Sequence, residues 1–443
     1  MDKKISFIGM GKLGLPFAGC LAAEGYDVIG VDLQEQVVAD INAGRAPFFE
    51  PGLAELMADI GGNRLQATTD LHQAVVGSDI TIILVATPSN PDGSFSNNHV
   101  LTALTQAADA FKESGNDYHI FVVSSTVMPG SCDDEFLPLL EKHTGRRVGE
   151  GFDLCYNPDF VALGNVIKDF QNPEMVVIGE SSPAAGNQIA EIHHTMCKSS
   201  PPISQMTLIN AEIAKVTLNT YVTTKISFAN MLANLCEKIP GANVDDITSS
   251  IGHDRRISPY YFKGGMGFGG ACFPRDTWAF IQLAYEYDQD PALIQAVEGI
   301  NQYQDDHLSE IIQDALDAVS GSIVGILGTA FKQDTPVIIA SPAIRLIHLL
   351  LKSDAAVIAW DEYALDATRD EFGDQIQYAD DAAKCLHEAQ VAVLTIRSKP
   401  LIDSISQFAP EHELVIIDPW RCLDESLLHN QIRVISLGVG VPE

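Results

Sequence analysis

Gly9-x-Gly11-x-x-Gly14 follows the apolar run Ile5 to Ile8 directly and opens a helical pattern, and Asp32 closes the next apolar run 18 residues after Gly14. In a strand-turn-helix setting the three glycines have separate tasks: a tight turn, an unobstructed approach for a pyrophosphate, and close packing of helix on strand. Lys12 and Leu13 fill the variable positions of that turn. An acid at the end of the second strand accepts hydrogen bonds from ribose hydroxyls and repels a 2′-phosphate, which favours NAD over NADP. The motif confines the start of the chain to a dinucleotide-binding βαβ fold.

The rest of the 443 residues extends that pattern. Short apolar runs at Ile80 to Ala86, Ile120 to Val123, Leu154 to Tyr156 and Met175 to Ile178 alternate with helical stretches, as in a doubly wound parallel sheet. Thr87-Pro88 and Ser125-Thr126 each follow one of these runs, at the carboxyl ends where such sheets bind ligands; as isolated residues they would read as turn formers. From Gln205 to Glu237 no proline interrupts a helix-compatible spacing, which predicts one helix of up to 33 residues. After Ser320-Gly321 the alternation resumes, with Ile323 to Leu327, Ala355 to Ala359, Val391 to Thr395 and Val415 to Ile417. The expected fold is α/β, two Rossmann-like doubly wound domains joined by a long central helix. The expected boundaries are 1–200, 201–317 and 318–443.

A formal charge of −32, from 27 Lys and Arg against 59 Asp and Glu, argues against nucleic acid or an anionic membrane as partner. An anionic small ligand would need the few cations concentrated at its site. Eight cysteines at irregular spacing, without a Cys-x-x-Cys pair, indicate neither a disulfide framework nor a metal site. No apolar run approaches the roughly 20 residues that span a bilayer, and the opening residues do not read as a signal peptide. The expected location is the cytoplasm.

The segment from Gly264 to Asp276, GGMGFGGACFPRD, holds five glycines within seven residues and ends in a helix start, with Pro274 suited to a first turn. A flexible linker would not run into a helix. The spacing puts Cys272 at a helix N-terminus, where dipole and amides favour the thiolate, and Asp276 one turn later. On the long helix, Lys215 and Asn219 lie four residues apart among Ala211, Ile213, Ala214, Val216 and Leu218. A lysine among apolar positions needs a reason, and an oxyanion supplies one.

At this point the chain resembles the UDP-glucose and GDP-mannose dehydrogenase family over essentially its whole length. The matching pieces are Gly9 to Gly14, Asp32, Ser125-Thr126-Val127, Asn157-Pro158-Asp159-Phe160, the helix with Lys215 and Asn219, Asp254-x-Arg256-Ile257, the loop around Cys272, and Ala330-Phe331-Lys332. The resemblance implies an NAD domain, a central helical dimerisation region, a domain binding a nucleotide sugar, and a homodimer. It implies Cys272 as nucleophile, Lys215, Asn219 and Asp276 around the reacting carbon, and Thr126 and Asp159 orienting water or proton transfers. Arg275 joins the cofactor residues. Phe160, Val161, Arg256, Tyr260, Phe268, Gly269, Phe331, Lys332 and Arg421 join the substrate residues.

The implied reaction oxidises a sugar C6 alcohol to a carboxylate through a thiohemiacetal and a thioester on Cys272. Phe160, Arg256 and Cys272-Phe273-Pro274 point to a UDP-hexose. GDP-mannose or a UDP-N-acetylhexosamine stays open, as does a non-catalytic NAD-binding scaffold. The chain departs from the family pattern at four places: Asp159 and Leu163 stand where glutamates are usual, Ile339 where an arginine is, and Trp420 displaces another arginine to Arg421.

Overall fold

The computed structural model describes residues 3–319 and 323–441, so Ser320 and Gly321 lie outside the described residues. The chain forms two compact units, Met1–Thr217 and Leu218–Glu443. The first is built on strands β1 (Lys4–Ile8), β2 (Asp27–Val31), β3 (Leu65–Thr68), β4 (Ile80–Ile83), β5 (His119–Val123), β6 (Phe152–Tyr156), β7 (Val176–Glu180) and β8 (Ile203–Met206). Their order in the sheet is β3-β2-β1-β4-β5-β6-β7-β8. The strands β4, β5 and β6 are buried along their whole length, which is why they read as unbroken apolar runs: helices cover both faces of a parallel sheet.

The expectation of a wholly parallel sheet fails at one pair, because β6 and β7 run antiparallel through Cys155↔Glu180 and Tyr156↔Gly179. The cause lies in the connection between them. Its short helix Val166–Gln171 is held near the start of helix Gly14–Ala23, with Phe170 stacked on Phe17 at 4.5 Å. Glu50 accepts the Gly164 and Val166 amides at 3.0 and 2.9 Å. The chain thus turns back into the sheet from the end at which β6 left it.

The long helix spans Leu208–Glu237, 30 residues, so it starts later than its uninterrupted spacing suggests. Gln205 and Met206 belong instead to the edge strand β8, where the Gln205 side chain donates to Glu180 and Asn187. An edge strand without an apolar run leaves no period-2 signature.

The second unit holds β9 (Ile323–Leu327), β10 (Ala356–Trp360), β11 (Gln377–Tyr378), β12 (Val391–Leu394), β13 (Leu414–Asp418) and β14 (Ile432–Ser436), ordered β11-β10-β9-β12-β13-β14. This repeats the order β3-β2-β1-β4-β5-β6, and the repetition extends to the turn after the first strand. Gly9 (φ +100°) donates its N–H to Val31 at 2.9 Å, and Gly328 (φ +108°) donates to Trp360 at 2.8 Å. Both positions need a left-handed backbone. In each unit an aspartate closes the neighbouring strand and accepts amides of that turn, Asp32 in one and Asp361 in the other. Helices Val244–Gly252, Phe273–Glu286 and Ala292–Asp317 complete the second unit. Among the described residues no helix is long and apolar enough to cross a membrane.

Two buried histidines give the first unit a pH dependence. His119, enclosed by Phe111 and Phe121, meets the Thr81 hydroxyl through Nε2 at 2.8 Å; His193 donates from Nε2 to Asn157 Oδ1 at 2.7 Å. Burial disfavours the imidazolium and holds both at about 4, below the ordinary 6.5, with His194 lowering His193 further and Asp79 partly opposing at His119. Between these values the unfolded chain binds protons that the native state refuses. Stability should therefore be fully present above pH about 6.5 and fall as pH drops toward 4, by up to about 3 kcal/mol per histidine. Denaturation midpoints measured between pH about 7 and about 5 should decline; a flat profile would contradict this.

Candidate active site

The dinucleotide turn is set by what each glycine excludes. A Cβ on Gly9 would enter the Leu84 carbonyl, and one on Gly14 would enter the Gly9 carbonyl, so both seal strand to helix. A Cβ on Gly11 would meet nothing within 4 Å. That position is exposed, and helix Gly14–Ala23 has no side-chain cap at its N-terminus, so its first amides suit a pyrophosphate. Lys12 is exposed, while Leu13 packs on the core. Asp32 accepts from the Met10 and Gln34 amides at 3.2 and 2.9 Å, which fixes its carboxylate beside the turn. At the ends of β4 and β5, the Thr87 hydroxyl donates to the Thr126 carbonyl at 2.7 Å. Ser125 Oγ accepts from and donates to the Val85 backbone. Pro88 is exposed. These residues fit NAD.

Within the same unit, the loop after β6 is tied down residue by residue. Asn157 donates to the Val177 carbonyl at 2.9 Å and accepts from His193. The Asp159 carbonyl accepts the Lys215 ammonium, which also lies 4.9 Å from the Phe160 ring centroid. Lys215 is 7% exposed, so its charge is held by these two neighbours in a poorly hydrated place. Val161 and Leu163 pack on the apolar core; a leucine instead of an acid is therefore accommodated by burial. One turn before Lys215, the fully buried Glu212 accepts the Gly130 and Cys132 amides at 2.7 and 2.8 Å. Glu212 and His193 escaped the sequence reading. A glutamate between Ala211 and Ile213 was as anomalous as the lysine beside it.

In the second unit Cys272 is exposed at the N-cap of helix Phe273–Glu286, with Pro274 in the first turn. The Asp276 amide donates to the Cys272 carbonyl at 2.8 Å. The Asp276 carboxylate, 1% exposed, accepts from Asn219 Nδ2 at 2.6 Å and lies 3.6 Å from Arg275 Nε. The preceding glycines are required by protein contacts. A Cβ on Gly264 would come within 2.6 Å of the Ala229 carbonyl, on Gly265 within 2.7 Å of the Trp420 ring, on Gly267 within 2.7 Å of Asn301 Oδ1, and on Gly270 within 2.6 Å of the Phe331 ring. Buried amide side chains then satisfy the loop backbone. Asn230 accepts from Gly265 and donates to Met266, Asn301 accepts from and donates to Phe268, and Gln304 donates to Gly265. Phe268 is buried in this cage. Arg256 pairs with Asp254 at the surface, and Tyr260 is 77% exposed.

A small open pocket lies at the carboxyl ends of β9, β10 and β12, lined among others by Lys332, Asp334, Asp361, Tyr363 and Ser398. In the order β10-β9-β12 this is the switch point, where open α/β sheets bind ligands. Asp361 is not available to a ligand, since its two oxygens accept four amides, of Thr329, Ala330, Tyr363 and Ala364. The expectation that Arg421 holds the substrate meets a different arrangement. Its guanidinium pairs with Asp245 through two 3.0 Å bonds and donates to the Pro419, Leu437 and Gly264 carbonyls, at 7% side-chain exposure. All its donor directions are spent on the protein. Ile339, in contrast, is 59% exposed.

A dinucleotide turn with an acid closing the neighbouring strand, and an exposed cysteine at a helix N-terminus, suit a dehydrogenase working through a nicotinamide cofactor. Comparison with known proteins makes the class specific. The UDP-glucose/GDP-mannose dehydrogenase family matches in three consecutive pieces: its NAD binding domain over residues 3–197, its central domain over 209–303 and its UDP binding domain over 325–425. UDP-glucose 6-dehydrogenase AglM of Haloferax volcanii is 36% identical over 420 residues, 94% of this chain and 96% of the relative. GDP-mannose 6-dehydrogenase of Azotobacter vinelandii is 31% identical over 426 residues, 93% and 95% of the two chains. The solved UDP-glucose dehydrogenase of Pyrobaculum islandicum has a TM-score of 0.88 at 28% identity, over 99% of this chain and 98% of that one. The chain belongs to the UDP-glucose/GDP-mannose dehydrogenase family, and is an NAD-dependent nucleotide-sugar dehydrogenase.

Proposed function

We propose that this dehydrogenase oxidises the C6 alcohol of a UDP-hexose to the uronate in two steps on Cys272. The observation that carries the reading is the exposed Cys272 at the head of a helix, after a loop whose backbone is caged by buried amides, beside the Asn219–Asp276 pair. NAD, held by Gly9, Gly11, Gly14 and Asp32, supplies the hydride acceptor. The first oxidation takes a hydride and a proton from the alcohol and leaves the aldehyde. Addition of the Cys272 thiolate to that carbon forms a C–S bond and a thiohemiacetal oxyanion, and loss of a second hydride leaves a thioester. Water then breaks the C–S bond and returns the thiol, so one alcohol, one water and two NAD give one carboxylate, two NADH and three protons. Lys215 and Asn219 stabilise the oxyanions, and Asp276 with Asp159 moves the protons.

UDP rather than GDP is favoured by the 36% identity to AglM, against 31% for the GDP-mannose enzyme. With Arg421 committed to Asp245, the nucleotide's charge falls to Lys332 in the pocket and to Arg256. The functional division is 1–200 for NAD, 201–317 for the cysteine and dimerisation, and 318–443 for the nucleotide sugar. Its reaction partners argue for a cytoplasmic enzyme.

Tyr221, Phe228, Met231 and Leu235 form an exposed apolar stripe on helix Leu208–Glu237, each between 47% and 62% exposed, at a spacing that keeps them on one face. A second copy of the chain is its proposed cover. Light scattering should give about twice the 47.9 kDa chain mass, and a monomer would remove this part of the reading. Cys272→Ser should bind NAD as the wild type does yet form no acid, because a serine hydroxyl is not ionised near neutral pH. Unchanged acid formation by that variant would overturn the assignment.

A further inference from the structure

Residues 331–340 connect the two sites of the second unit. Lys332, Gln333, Asp334 and Thr335 line the pocket at the sheet's switch point. The neighbouring Phe331 presses its ring on Gly270, two residues before Cys272, at a position where φ is +86° and a Cβ would stand 2.6 Å from the ring. The far end of the segment returns to the same place. The Gly270 amide donates to the Ile339 carbonyl at 3.1 Å, and the Ala340 carbonyl occupies the space where a Cβ on Gly269 would lie.

The segment is closed on itself, with Phe331 N–H donating to the Val337 carbonyl and Ser341 N–H to that of Ile338, both at 3.0 Å. Arg345 fastens it to the cysteine loop by donating to the Ala340 carbonyl at 2.6 Å and to that of Phe268 at 3.3 Å, while pairing with Asp305. Two residues other than glycine sit in the left-handed region, Asp334 at φ +59° beside the pocket and Ala340 at φ +48° beside the cysteine loop. Such conformations cost energy and persist where the surroundings impose them. The segment thus runs, internally bonded, from the pocket to Gly269 and Gly270.

We infer that residues 331–340 are a strap by which a nucleoside diphosphate in the pocket positions Cys272, with Phe331 and Ala340 as positioning residues that act through Gly270 and Gly269. The inference rests on the pocket's being the nucleotide site. It makes the nucleotide half of the substrate, which takes no part in the chemistry, a condition for correct placement of the thiol. Binding energy remote from the reacting carbon is then used for orientation there.

The test uses the full-length protein and two probes, UDP and GDP, without sugar. Binding of each is measured by calorimetry, and the alkylation rate of Cys272 by iodoacetamide is followed by peptide mass spectrometry with and without saturating nucleotide. In the wild type the nucleotide that binds should change the Cys272 rate by about 5-fold or more, the lower range of measured couplings between sites. In Phe331→Leu and in Ala340→Gly, each at its own saturating concentration, that response should shrink toward none. Should Phe331→Leu lose the nucleotide, Ala340→Gly, which does not line the pocket, decides the matter. A wild type that binds nucleotide with no change at Cys272 would overturn the strap and leave the pocket assignment standing. A variant that responds as the wild type does would equally overturn it, as direct shielding of the thiol. No binding of either nucleotide would overturn both readings.

Discussion

At its five glycines the backbone of Gly264 to Gly270 lies against other parts of its own unit with no space for a side chain, and the placement of Cys272 depends on that contact. Ala229, Trp420, Asn301, Phe331 and Ala340 each take a position that a Cβ would need. Close approach makes the loop rigid, and rigidity is what a nucleophile requires: a misplacement of about 1 Å at a reacting centre can cost two orders of magnitude in rate. Because glycine backbone polar groups are unshielded, the same closeness obliges Asn230, Asn301 and Gln304 to satisfy them. The buried amide cage and the glycine run are thus two sides of one arrangement.

The two sheets use one device for two ligands. A glycine with φ near +100° ends the first strand, and an aspartate at the end of its neighbour holds the turn, in Gly9 and Asp32 as in Gly328 and Asp361. The two units diverge immediately after that turn. Beyond Gly9 the chain goes straight into a helix with uncapped amides, a shape for pyrophosphate. Beyond Gly328 it makes the 331–340 segment before helix Pro342–Lys352 begins, and that helix is capped by Ser341. The second turn has exchanged a phosphate-binding helix start for a strap against the cysteine loop.

The legibility of these features in the sequence depends on the range of each interaction. The Gly9 turn and the helix start at Cys272 and Pro274 are each written within a few residues, and Asp32 lies one βαβ unit on at a fixed spacing, so short-range signals sufficed for them. Glu212, His193 and Asn301 have partners 33 to 82 residues away in the chain, and nothing in a single sequence announces such a pairing. Arg421 shows the opposite error. Its place near a family arginine suggested a ligand, but Asp245, 176 residues earlier, claims it. Five glycines signalled a close approach, though the neighbours turned out to be side chains and backbone carbonyls of the chain itself. The edge strand β8 and the reversal of β7, whose apolar run was read, were missed because they are set by packing in the 157–175 connection and at the sheet edge, where hydrophobic period carries little information.

The central claim is that one cysteine retains the sugar carbon through two successive oxidations. Its most direct measurement is the ratio of NADH formed to UDP-hexose consumed in a complete reaction, with the product mixture analysed for aldehyde. The account predicts two NADH for each uronate and no released aldehyde, since the thiohemiacetal stays bound to Cys272 between the steps. One NADH per sugar with the aldehyde released to solution would contradict it.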